Sequence, residues 1–96
     1  MERLATDVEV KRLIKFDGEG TLKAYCDLSI GESFLVKGLR VVSGKNGLFV
    51  SMPRQQGKDK RWYDSVSALS KKAKQEVDRV VLEAYQQEVN ANGNGL

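Results

Sequence analysis

Lysine and arginine crowd one stretch of this 96-residue chain. Residues 37–74 hold ten bases against two acids, Asp59 and Asp64, a net charge of +8. The rest holds six bases and eleven acids, a net −5, so the overall +3 conceals a segregation. Segregated positive charge is the electrostatic footprint of a face that meets a polyanion. Its densest part runs through Arg54, Lys58, Lys60 and Arg61 and resumes at Lys71, Lys72 and Lys74, beside the Ser70 hydroxyl. If the second group opens a helix, its lysines face the positive end of the macrodipole, an unfavourable placement. A phosphate there relieves the repulsion and accepts free backbone N–H groups. Trp62 and Tyr63 adjoin the first group, and such a ring can stack on a base or sugar. The plain alternative is a solvated basic loop next to aromatics of the core.

Other chemistries lack their residues. There is no histidine, which removes the commonest general base and the commonest metal ligand. A single cysteine, Cys26, excludes an internal disulfide and leaves no thiolate set for zinc. Cys26 shares an alternating apolar face and reads as a small core residue. Asp59 and Asp64 stand alone and read as capping or ion-pairing groups. Gly44 and Gly47 match no phosphate-binding P-loop and read as turn glycines. No enzymatic activity, cofactor, metal or small-molecule substrate is expected. A lone cysteine points to a reducing cytoplasm. Apolar runs are only a few residues long, too short for a membrane helix. The first ten residues carry acids and no apolar core, so they do not read as a signal peptide.

The elements that must position the basic residues follow from periodicity. In residues 7–14, Val8 and Val10 alternate with Asp7, Glu9 and Lys11, a strand pattern. Asp17-Gly18-Glu19-Gly20 signals a turn. Residues 21–30 alternate most cleanly, with Leu22, Ala24, Cys26, Leu28 and Ile30 on one face and Lys23, Tyr25, Asp27 and Ser29 on the other. Gly31-Glu32 turns the chain into a third strand, residues 34–42, whose phase slips at Gly38, the mark of a β-bulge. Asn46-Gly47 predicts a hairpin into Leu48, Val50 and Met52, and Pro53 stops that strand. Residues 54–61 read as an exposed loop, and 62–66 as a short fifth strand. Ser67 or Ser70 caps a helix. Its stripe, Leu69, Ala73, Val77, Val80, Val81, Ala84 and Tyr85, spans about five turns. Residues from Asn90 onward read as a frayed end.

The expected architecture is α+β in two layers: a small antiparallel sheet of four to five strands, then one C-terminal amphipathic helix. Residues 1–90 form a single domain and 91–96 a flexible tail. So small a sheet leaves edge strands that dimerisation would cover.

The block Gly38-Leu39-Arg40-Val41-Val42, then Asn46-Gly47-Leu48-Phe49-Val50-Ser51-Met52-Pro53, resembles the most recognisable segment of the bacterial SpoVG family. Thr6-Asp7-Val8, the Asp17-Gly18 turn, Leu22-Lys23-Ala24, Asp64 and Val81-Leu82-Glu83-Ala84-Tyr85 extend the resemblance over residues 6–86. It implies a homodimer built by β-strand pairing and site-preferring binding to DNA, and in some members RNA. Members are described as regulators linked to septation, cell division and sporulation. Carried onto this chain, the nucleic-acid contacts fall on Arg54, Lys58, Lys60, Arg61, Ser70, Lys71, Lys72 and Lys74, the patch that charge counting found. The chain departs from the family pattern in having Gln55-Gln56 after Arg54, and Val66-Ser67-Ala68 where a His-Pro pair is usual. The competing reading is an adaptor whose basic face binds an acidic protein.

Overall fold

The computed structural model describes residues 7–16 and 18–93. Asp17 of the expected turn, Thr6 of the family resemblance, residues 94–96 of the expected tail and most of the N-terminal ten lie outside them. Four strands form an antiparallel meander: β1 (Val8–Lys15), β2 (Leu22–Ile30), β3 (Phe34–Gly44) and β4 (Gly47–Ser51), side by side in that order. A separate two-stranded sheet follows, β5 (Arg54–Gln56) with β6 (Trp62–Asp64), and then α1 (Lys71–Gly93). The fold is α+β, as the periodicity predicts. Among the described residues, no helix is long and apolar enough to cross a membrane.

Alternation along the strands decides which face is covered. Ala24, Cys26, Leu28, Leu39, Val41 and Val50 point to one side and are buried against Val77 and Val81 of α1. Val8, Val10, Leu13, Val80, Leu82 and Tyr85 close the margins of this core. Burial of small and medium apolar side chains on one sheet face is what holds a helix to it. Burial pushes the Cys26 thiol up to about 11, with the Asp27 charge adding to the shift, so the thiol stays protonated and inert near neutrality.

Turns and bulges set the registers. Cys26 faces Leu39 while Leu28 faces Val36, so one extra residue lies on β3, and Gly38 there has a φ of 93°. That is the expected bulge, at a backbone conformation that favours glycine. Gly31 and Glu32 both have positive φ, and the Ser33 N–H donates to the Ile30 carbonyl, a primed turn whose twist suits antiparallel strands.

Four readings need correction. The expected loop shrinks to residues 57–61: Arg54, Gln55 and Gln56 are a strand that pairs with Asp64, Tyr63 and Trp62, giving six strands in two sheets. The Asn-Gly hairpin turns on Lys45 and Asn46, one place earlier than expected, with Gly47 pairing Gly44 at a φ of 116°. Leu69 is fully exposed and precedes the helix, so the apolar stripe begins at Ala73. Ser29, expected outward, is buried beside the β1–β2 register shift, its hydroxyl donating to the Glu9 carbonyl at 3.4 Å. Helix α1 itself runs through Gly93.

Candidate nucleic-acid interface

The sequence around residues 54–64 folds back on itself because four local interactions agree. A lone two-stranded hairpin is marginal in water, so these interactions decide whether it forms. Arg54 and Asp64 are directly opposite and pair at 3.2 Å. The Lys60 N–H donates to the Gly57 carbonyl and the Gly57 N–H to the Arg61 carbonyl, closing the turn. Asp59 accepts from the Arg61 N–H at 3.0 Å and from the Tyr63 hydroxyl at 2.6 Å. These donors hold the Asp59 carboxyl below its ordinary value, the Tyr63 bond contributing most, and the same bond raises Tyr63. The Tyr63 ring also lies on Gly57, where an added Cβ would come within 2.9 Å of it. Lys60 pays for the tight turn with a φ of 66°, a left-handed conformation uncommon for a side-chain-bearing residue.

The hairpin therefore presents Lys58, Lys60 and Arg61 at its end, all exposed, about 10 Å along the strands from its base. Trp62 and Tyr63 stand half exposed on β6, away from the core.

Ser70 is the helix cap: its hydroxyl accepts from the Ala73 N–H at 3.1 Å, while its carbonyl accepts from the Lys74 N–H. Lys71, Lys72 and Lys74 fill the first turn, which holds no acid. The three lysines are not equivalent. Lys74 Nζ donates to Asp78 at 2.6 Å and to the backbone carbonyl of Val50, on edge strand β4, at 3.2 Å. It fastens the helix to the sheet. Lys71 and Lys72 are exposed. Asp64, Met52, Ser70, Lys71 and Lys74 line one open cleft of about 400 Å³ between the hairpin base and the helix start.

The eight expected contact residues thus fall into two sets. Arg54, Ser70 and Lys74 are engaged in holding the structure. Lys58, Lys60, Arg61, Lys71 and Lys72 have side chains in no ion pair among the described residues. Sequence reading missed the Asp59–Tyr63 pair, although the signal was present: Arg54 and Asp64 are mirrored about one turn centre, as are Gln56 and Trp62. Among the described residues, no cluster of acids and cysteine is placed to hold a metal ion.

The SpoVG family profile matches residues 4–87. The chain belongs to the SpoVG family. It is 42% identical to the SpoVG protein of Archaeoglobus fulgidus over 77 residues, covering 80% of this chain and 91% of that one. It is 35% identical to the SpoVG protein of Staphylococcus saprophyticus over 82 residues, covering 85% and 78%. Both relatives are named for septation. The SpoVG block through residues 46–53 has a physical reading here. Gly47 supplies the positive φ of the β3–β4 turn, and Val50 enters the core. Phe49 lies on Gly44, where an added Cβ would come within 2.9 Å of the ring. Pro53 ends β4, and its carbonyl accepts from the Ser65 N–H, which starts the hairpin that carries the basic end.

Proposed function

We propose that this SpoVG protein binds nucleic acid through the end of its β5–β6 hairpin and the start of α1, as a cytoplasmic homodimer in gene regulation linked to septation. The observation that carries the reading is that Lys58, Lys60, Arg61, Lys71 and Lys72, exposed and in no ion pair among the described residues, lie on two elements that flank one cleft. Exposed positive charges left unpaired are available to phosphates, and phosphate contacts supply most non-specific affinity. The acid-free first turn of α1 adds the positive helix end, where a phosphate accepts backbone N–H bonds. Arg54 and Lys74 position these groups. A homodimer formed by strand pairing presents two such patches, and linked sites raise effective affinity.

The test is fluorescence anisotropy with duplex DNA, single-stranded DNA and RNA, comparing wild type with a Lys71→Ala, Lys72→Ala double variant. Binding that weakens in the variant and depends on base sequence supports the reading. Weak, sequence-blind binding would instead favour the basic face as a dock for an acidic protein. Light scattering tests the dimer: a mass near 10.7 kDa would refute it.

A further inference from the structure

The sheet face opposite the helix is uncovered, and its residues are not those of an ordinary solvated face. One cross-strand row runs Ile14, Tyr25, Arg40, Ser51 over all four strands, and Val42 faces Phe49 in the next. Ile14, Tyr25 and Phe49 are 42%, 37% and 49% exposed. Phe16 meets Tyr25 edge-on at 5.2 Å, and the Arg40 guanidinium lies 5.7 Å from the Tyr25 ring centre. Phe49 rests on the bare backbone of Gly44, so one side of its ring is held and the other is open. Neither the Ile14 row nor the Val42–Phe49 pair contains an acid, and the charge at their centre is Arg40; the acid beside them, Asp27, stands opposite Arg12 in the neighbouring row.

Resting on the nucleic-acid reading above, we infer that this face is a stacking platform for unpaired bases of single-stranded nucleic acid. Aromatic rings and an arginine plane on a sheet accept base faces regardless of sequence, and only unpaired strands expose those faces. The Arg40 charge gives the platform the sign complementary to the backbone that carries the bases. The same charge disfavours a second copy as occupant. Two such faces packed about a twofold axis set like surfaces together and bury Arg40 among apolar groups, while Asp27, the acid in the neighbouring row, already stands opposite Arg12.

The experiment uses the full chain, with oligonucleotides of about 12 residues as single-stranded DNA, RNA and duplex DNA. The variants are Phe49→Leu alone and Tyr25→Leu with Phe49→Leu, which keep the face apolar and remove the rings. The expected result is a loss of about tenfold or more in single-strand affinity, with duplex affinity unchanged. In parallel, wild type is photocrosslinked to an iodouracil-substituted strand and the adducts mapped. Adducts at Tyr25 or Phe49 support the platform even if the double variant fails to fold. Wild-type single-strand affinity in folded variants, with adducts confined to the hairpin and helix start, overturns the platform and leaves the basic site standing. No wild-type binding to any probe overturns both. A drop in molecular mass in the Leu variants overturns the platform too, by giving the face to a second copy.

Discussion

Counting uncommitted cations turns the interface into a slope. If Lys58, Lys60, Arg61, Lys71 and Lys72 each neutralise one phosphate of duplex DNA, log affinity falls with log salt at about −4.5 per chain. Between about 50 and 200 mM salt that is a loss near 500-fold; for a single strand the slope is about −3.5. Lys71→Ala with Lys72→Ala flattens the duplex slope to about −2.7. Lys74→Ala leaves it unchanged, because that ammonium is held by Asp78 and the Val50 carbonyl. The assay is anisotropy of a labelled duplex over a salt series at constant pH, with circular dichroism confirming that each variant is folded. A wild-type slope near zero removes the electrostatic mechanism. A Lys74→Ala slope as flat as that of the double variant refutes the division between fastening and binding lysines.

Four further outcomes follow from particular contacts. Ser70→Ala removes the cap on the Ala73 N–H and costs about 1 kcal/mol, read as a melting temperature lower by about 4–8 °C. Lys60→Gly relieves the left-handed φ of 66°, so amide exchange at Gly57 and Arg61 slows about fivefold while the salt slope flattens by about 0.9. The Asp59–Tyr63 bond shows at both ends of the pH scale. Asp59 is lowered from 3.8, so its contribution is present above that value and fades as pH falls through the folded pKa; Tyr63 is raised from 10.0, so its contribution is present below that value and fades as pH rises through the folded pKa. Amide protection in the hairpin, taken relative to the intrinsic exchange rate at each pH, should be greatest between these limits, and Tyr63→Phe should abolish the alkaline limb and shrink the acid one, which keeps the Arg61 N–H bond to Asp59. Cys26, with its thiol near 11, should resist iodoacetamide at pH 8 in the native protein and react on addition of urea.

The large sheet was legible because its strands are covered on one face. Ala24, Cys26 and Leu28 had to alternate with Tyr25 and Asp27, and the slip at Gly38 had to be a bulge for Leu39 to meet Cys26. The second sheet was not legible from hydrophobicity, because Arg54, Gln55 and Gln56 are exposed and have no core to face. Its specification is polar and cross-strand, in Arg54–Asp64 and Asp59–Tyr63. Leu69 fits the spacing of the helix stripe yet lies before the Ser70 cap, so periodicity alone placed it wrongly. The basic patch was legible as composition. Which bases are free was not, since Lys74 and Lys72 look alike until Val50 is brought alongside the first helical turn.

That division explains why so positive a segment folds without neutralising itself. Bases that carry structural duties have acids: Arg54 has Asp64, Lys74 has Asp78, and Arg79 has Glu76 and Glu83. Exposed pairs of this kind stabilise only weakly, so their effect lies in fixing geometry, the base of a short hairpin and the seat of a helix on its sheet. Lys58, Lys60 and Arg61 are then held at the end of a turn closed by Asp59, and Lys71 and Lys72 at a helix end of their own sign. The second placement leaves repulsion in the free protein, two lysines against the macrodipole. Repulsion that a bound anion removes is differential binding energy, because it is present without the ligand and absent with it. A chain selected for stability alone would place acids at that helix start and glycine at position 60. This chain does neither, and both departures fall among Lys58, Lys60, Arg61, Lys71 and Lys72.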